Sequence, residues 1–172
     1  MINTNFKIIL FNGGFAGDLI TSLYNPDIFL KFSNRRILLD NQVLKLKSYE
    51  YRKTHSYEQK INYLKSIEHI GVCSSHDDEL ALRLKANTTL VHCSDKALAE
   101  VFYNRIKRDK PDQKMTLEEN MKWQDVNKRV FKKQIDLAKI TDSNFLETLG
   151  IKDSRSVKIL NKWIDLQELN ND

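Results

Sequence analysis

The chain has 172 residues, 41% hydrophobic, 9% aromatic and 30% charged, a balance that excludes a disordered chain and suits one domain burying a continuous core without disulfide or metal staples. Its 28 basic residues stand against 23 acidic ones, and a net charge of +5 permits an anionic partner without requiring one. No apolar run approaches the roughly 20 residues that span a bilayer, and Met1 to Phe6 lacks the basic start and apolar stretch of a secretory signal, so a cytoplasmic address and no membrane partner are expected.

The chain opens on Phe6-Lys7-Ile8-Ile9-Leu10-Phe11, a nearly continuous apolar run of the kind a buried parallel strand needs, ended sharply by Asn12-Gly13-Gly14. Phe15, Leu19, Ile20 and Leu23 then share one helical face, and Asn25-Pro26 stops the pattern. Between Asp27 and Lys53, the clusters Ile28, Phe29, Phe32 and Ile37, Leu38, Leu39 fit helix turns and short strands equally well. Ser56 and Gln59 form a capping-box pattern ahead of Tyr57, Ile61, Leu64 and Ile67, which predicts a helix over about Tyr57 to Glu68.

Two similar units follow. Ile70 to His76 turns from apolar to polar, and Asp77 or Asp78 then caps a helix carrying Leu80, Ala81, Leu82 and Leu84. Thr88 to Ser94 repeats the scheme, with Asp95 capping Leu98, Ala99, Phe102 and Ile106. Strands alternating with helices imply parallel pairing and right-handed crossovers. Lys107 to Lys114, with Pro111, reads as a loop. Thr116 with Glu119 opens another helix, Ile135 to Ile140 suits one more strand, Asp142 caps a short helix ending at Gly150, and Val157, Leu160, Ile164 and Leu166 mark a final helix. The expected fold is a single three-layer α/β domain over 1–172, with a mostly parallel sheet of about four or five strands flanked by helices and a helix-rich part from about residue 116.

Ligands of open parallel sheets bind outside the carboxyl ends of the strands, and three such ends are polar here: Asn12 to Gly17, Ser74 to Asp78 and His92 to Asp95. Gly13, Gly14, Phe15, Ala16 and Gly17 lead into a helix whose free N–H groups and dipole suit an anion. The stretch lacks the lysine and the following Ser or Thr of the Walker loop and misses the dinucleotide spacing G-x-G-x-x-G. Asp18 is the natural helix cap, and in that role it would occupy the same donors. His76 is the candidate general base, against its reading as an ordinary polar loop histidine. His92 alternates within its strand and reads as packed. Ser74, Ser75 and Ser94 are candidates for ligand oxygens or for satisfying nearby backbone groups. Cys73 and Cys93 sit in apolar runs and read as buried thiols; no metal site is expected. The basic stretches Arg105 to Lys110 and Lys128 to Lys133 match no nucleic-acid module and read as solvated faces, so a nucleic-acid partner is not expected.

The order of these parts resembles the P-loop sulfotransferases, and in particular small, divergent, phage-encoded sulfotransferase-like proteins. That family has a strand, an anion-binding loop and a helix, here Lys7 to Leu23, then a strand ending in a Lys-Thr-His-type motif, here Val72 to His76. A strand ending in an Arg-Asn-type motif follows, here Leu90 to Asp95, and then the helix Ala97 to Lys107. The resemblance covers roughly residues 6–24 and 70–107, matched by order and pattern. It implies His76 as the base that takes a proton from an acceptor hydroxyl, and Gly13, Gly14 and Gly17 as the cradle of adenosine 3′-phosphate 5′-phosphosulfate or another adenine nucleotide. Phe15 stands where the loop lysine belongs, Ser74 replaces the lysine before the base, Cys93 the arginine and Val101 the serine, which leaves Arg83, Arg105 or Lys96 as replacement cations.

The functional expectation is therefore nucleotide-dependent sulfuryl or phosphoryl transfer at a degenerate donor site, in a host cytoplasm if the chain is phage-encoded. The alternatives are a non-catalytic phage-type protein that binds a host or particle protein, and a sugar-nucleotide transferase suggested by Gly17-Asp18-Leu19 after a strand.

Overall fold

A computed structural model describes residues 1–169. Strand β1 (Lys7–Leu10) lies inside a four-stranded, all-parallel sheet with β4 (Val72–Ser75) on one side, β5 (Thr88–His92) on the other, and β6 (Gln134–Asp136) beyond β5. Ile8, Ile9 and Leu10 are fully buried, as a strand covered on both faces requires, and this is why its sequence is continuously apolar instead of alternating.

The chain leaves β1 towards β4 and later returns past β1 to β5. Right-handed crossovers put the helices of these two connections on opposite faces. Helix α1 (Gly17–Tyr24) accordingly packs with the last helix, α9 (Ser154–Gln167), through buried Ile20, Leu23, Leu160 and Ile164, and the Ser156 hydroxyl donates to the Leu23 carbonyl at 2.9 Å. On the other face α5 (Asp78–Arg83) and α7 (Leu117–Val130) cover Leu10 and Leu90, joined there by Ala81 and Phe131. Helix α6 (Lys96–Asp109) belongs to neither layer alone: Phe102 meets Phe15 of the β1–α1 loop and Trp163 of α9, each with ring centroids 6.0 Å apart.

The stretch that reads equally as helix or strand is a hairpin. β2 (Phe29–Ser33) and β3 (Arg36–Leu39) pair antiparallel across Asn34 and Arg35, both at positive φ (48° and 66°), the backbone of a type I′ turn. The tip is docked on the end of α9: Gln167 Nε2 donates to the Arg35 carbonyl at 3.0 Å and Arg35 pairs with Glu168 at 2.7 Å. Two short helices, α2 (Asn41–Leu44), capped by Asp40, and α3 (Tyr49–Thr54), lead on to α4 (Tyr57–Ser66). The capping boxes at Ser56/Gln59 and Thr116/Glu119 are both made, and Asp77 and Asp95 cap α5 and α6.

The expected strand Ile135 to Ile140 is shorter and starts earlier, because the Asp136 side chain accepts from Ala138 N–H and opens a 3₁₀ turn over Leu137–Lys139. A four-residue helix, α8 (Phe145–Thr148), precedes Gly150. Cys73 and Cys93 are both buried free thiols. Among the described residues no helix is long and apolar enough to cross a membrane.

Candidate functional site

The loop from β1 to α1 is shaped by its own side chains. Asn12 Oδ1 accepts from Gly13 N–H at 2.9 Å, and Phe15 N–H donates to the Asn12 carbonyl at 3.2 Å. Gly14 (φ 93°) and Ala16 (φ 49°) then take left-handed backbone, which glycine adopts without cost and alanine at a cost of about 1 kcal/mol. A Cβ at Gly13 or Gly14 would sit 3.1 or 3.0 Å from Ile106 of α6, and one at Gly17 would lie 2.1 Å from the Phe11 ring. These glycines permit close packing, and Phe15 turns inward to complete exclusion from solvent.

Helix α1 begins without a side-chain cap. Asp18, the expected cap, instead pairs through Oδ2 with Lys47, while its Oδ1 is buried without a hydrogen-bond partner. No hydrogen bond among the described residues uses the N–H groups of Gly17, Asp18 or Leu19. The donors that Asp18 was expected to occupy are therefore open, at the positive end of the helix dipole.

These residues border a cavity of about 250 Å³ shared by Gly13, Gly14, Ala16, Gly17, Asp18, Leu19 and His76, with Arg35 and Arg36 from the hairpin, Lys47, and Arg105, Ile106, Asp109 and Lys110 at the end of α6. The lining carries five Arg or Lys side chains against the two carboxylates Asp18 and Asp109. Lys47 is engaged by Asp18, Arg36 by Asp109 at 2.7 Å, and Arg35 by Glu168. Arg105 has no carboxylate partner among the described residues. Its guanidinium lies over the Phe102 and Trp163 rings, 5.4 and 5.6 Å from their centroids, and burial pushes its pKa down to about 10.

His76 follows β4 and reaches back under the loop. Its Nδ1 lies 2.6 Å from the Phe11 carbonyl oxygen; a carbonyl only accepts, so the proton is on Nδ1 and Nε2 keeps its lone pair. The ring packs on Phe11 at 4.3 Å, and the His76 carbonyl accepts from Arg52 at 2.6 Å. Burial is the main cause that pushes the imidazole down to about 4, helped by the Lys47 and Arg52 charges and opposed by the Phe11 hydrogen bond and Asp18. The ring is neutral at pH 7.

The cavity thus joins Gly13, Gly14, Ala16, Gly17 and His76, and leaves four of the expected contacts outside. Phe15 is core. Ser74 is fully buried with its Oγ unpartnered, Ser75 Oγ accepts from Asp77 N–H at 3.0 Å, and Ser94 is exposed with its N–H bound to Asp136 at 2.9 Å. The third strand end lies outside the cavity: Cys93 N–H donates to Gln124 at 2.8 Å, and buried His92 lies 3.8 Å from Asp136 with its Nδ1 lacking a hydrogen-bond partner. Of the replacement cations, Arg105 reaches the cavity. Lys96 is exposed and Arg83 pairs with Glu79 at 2.9 Å, neither of them in the lining.

The residues that the sequence did not single out are Arg35, Arg36 and Lys47. Arg35 and Arg36 lie in the polar break Ser33-Asn34-Arg35-Arg36 between two apolar clusters, which carries no glycine to mark it as a hairpin turn. Arg105 and Lys110 lie in a charge run that reads as a solvated face, yet its first and last residues line the cavity.

Fold and cavity together define an α/β domain with a cationic, glycine-lined recess at the carboxyl edge of a parallel sheet, beside the point where crossovers from β1 diverge. Comparison of the chain with protein-family models, with curated proteins and with solved structures found no match.

Proposed function

We propose that the protein transfers a sulfuryl or phosphoryl group from an adenine nucleotide whose anionic end enters this cavity, with His76 as general base. The observation that carries the reading is the fixed tautomer of His76: Nδ1–H is committed to the Phe11 carbonyl, leaving Nε2 as an acceptor in a recess that also holds the open α1 donors and a surplus of cations. An acceptor hydroxyl gives its proton to Nε2, its oxygen forms the new bond to sulfur or phosphorus, and the bond to the donor's bridging oxygen breaks. That oxygen leaves with the electron pair, towards the cations. Positioned charge of this kind typically supplies several kcal/mol in such transfers.

The donor's fit is partial. At about 250 Å³ the recess falls just below the roughly 300–1,000 Å³ of sites that bury a whole ligand, so it suits a phosphate or sulfate end with the base outside. Isothermal calorimetry with adenosine 3′-phosphate 5′-phosphosulfate, its bisphosphate product and ATP tests binding, and transfer to a panel of hydroxyl acceptors tests turnover. His76→Ala is expected to lower turnover about 10²–10⁴-fold with nucleotide affinity retained, and Gly14→Asp to abolish binding. Absence of heat with all three nucleotides overturns the proposal.

One observation favours a second reading, a binding protein that targets a host or particle protein and has no transfer activity. Phe15 occupies the core and Ile106 closes on Gly13 and Gly14, so the loop is partly filled by its own fold. Measurable turnover that His76→Ala removes eliminates this alternative.

A further inference from the structure

We infer that Arg105 is the anchor for a tetrahedral oxyanion, a phosphate or sulfate group, held between its guanidinium edge and the open N–H groups at the start of α1. The inference rests on the cavity being a ligand site, as proposed above, but not on any reaction occurring there.

The argument starts from Asp109. One helical turn after Arg105, it is the natural i,i+4 partner for that guanidinium. The hairpin removes it: Arg36 contacts Asp109 Oδ2 with both Nε (2.8 Å) and Nη2 (2.7 Å). Asp109 still acts on Arg105 through space, but without an ion pair or hydrogen bond to it, and Arg35, Arg36 and Arg108 oppose that attraction; the guanidinium makes no hydrogen bond to any described residue. Stacking on Phe102 and Trp163 holds the plane of the group but satisfies none of its five N–H donors. A half-buried cation in this state favours an anion that can take the fork.

The second half of the site is independent of the first. Gly13 and Gly14 touch Ile106, the residue after Arg105, so the loop and the arginine meet along one wall of the cavity. Beyond the loop, the N–H groups of Gly17, Asp18 and Leu19 have no acceptor among the described residues, and Lys47 neutralises the carboxylate of Asp18 that would repel an anion. The fork and the N–H groups line the same cavity and come from two separate elements, so donors are offered from more than one helix. That suits four oxygens on a tetrahedral centre better than the two coplanar oxygens of a carboxylate. The phenylalanine at the place of a loop lysine is then accounted for: the charge comes from α6, and Phe15 helps position that helix through Phe102.

Trp163 makes the site observable. The chain has two tryptophans, so a Trp123→Phe protein reports from the ring beneath Arg105 alone. Titration with sodium sulfate, sodium phosphate and adenosine 3′,5′-bisphosphate at constant ionic strength, with chloride as the balancing salt, is expected to give a saturable fluorescence change. Arg105→Met keeps the stem that packs on the rings and is expected to weaken binding at least about tenfold, while the remote Arg83→Met changes it by less than about twofold. Arg105→Lys serves if the methionine variant does not fold, with an intermediate loss expected because the charge stays and the fork goes. An equal response to chloride, or unchanged oxyanion affinity in either Arg105 variant, overturns the inference. Oxyanion binding that depends on Arg105 in a protein without turnover leaves the anchor standing and removes the transfer reaction.

Discussion

His76 is held by one strong hydrogen bond in surroundings that oppose its charge. Burial is the larger influence on its pKa, and the neighbouring Lys47 and Arg52 charges add to it. The folded value of about 4 lies below the unfolded value near 6.5, so between these pH values the unfolded chain binds the proton and the folded one does not. Stability contributed by neutral His76 is therefore fully present above about pH 6.5 and is lost as pH falls towards 4, by an amount on the order of 3 kcal/mol at most. We expect an imidazole resonance titrating near 4 by NMR, and a shallower acid limb of the urea-unfolding profile in His76→Gln. A midpoint near 6.5 in the free protein contradicts this. Bound sulfate or phosphate should raise the midpoint, because its charge offsets Lys47 and Arg52. His76 was visible in the sequence as a titratable residue just past a strand. Ser74 and Ser75, two and one residues before it, were candidates for ligand oxygens and are buried, since sequence order places a strand end without telling which side chain faces the recess. Arg105 was one of three candidate replacement cations, and nothing local chose it over Arg83 and Lys96, because the contact that occupies Asp109, from Arg36, spans 73 residues.

Among the elements, the join between α4 and α5 carries the most concentrated charge burial. Lys60 and Asp77 pair at 2.5 Å with side chains 9% and 8% exposed, and Asp77 also caps α5 by accepting from Leu80 N–H at 3.0 Å. Asp77→Ala removes the cap and leaves a buried ammonium without its counter-charge, so a loss of about 3–5 kcal/mol is expected in urea unfolding. Lys60→Met combined with Asp77→Asn keeps the cap, removes both charges, and should recover most of that loss. A double variant as unstable as Asp77→Ala alone would show that the pair's attraction, and not its desolvation, dominates. The cap was legible as Asp77 or Asp78 ahead of Leu80, and the boxes at Ser56 and Thr116 outright, because capping is local chemistry. The ion pair was not, since nothing local marks Lys60 as buried. The β2–β3 hairpin was ambiguous for a related reason: Arg35 occupies a left-handed turn position where glycine would have announced the turn. It keeps that conformation through contacts with Gln167 and Glu168 at the far end of the chain.

For the whole molecule, the question is whether the helix-rich part after about residue 116 adds to a finished domain or completes it. The strand β6 pairs with β5 in register Leu90 to Gln134, Val91 to Ile135 and His92 to Asp136, and so makes the fourth strand of the sheet. Helix α7 covers β5 on one face and α9 covers α1 on the other. Trp163 also sits under Phe102 and Arg105, so the cavity wall depends on the last helix. Alternating strands and helices made the α/β class readable, whereas the position of α6 over the loop depends on Phe15, Phe102 and Trp163 meeting from three separate segments. It follows that residues 1–115 should not fold alone: removing the rest uncovers Ile20, Leu23, Leu90 and Phe102, all fully buried in the intact chain, and burial on this scale separates folded from unfolded domains. The fragment is expected to show no cooperative urea transition by circular dichroism. In the full chain Trp123 reports from the α7 face and Trp163 from the α9 face, so single-tryptophan variants should each keep fluorescence and circular-dichroism midpoints that coincide. Non-coincident midpoints within one variant, or a fragment 1–115 with a sharp transition of its own, would mean that the sheet's two faces are stabilised separately and that the cavity is assembled between units able to move apart.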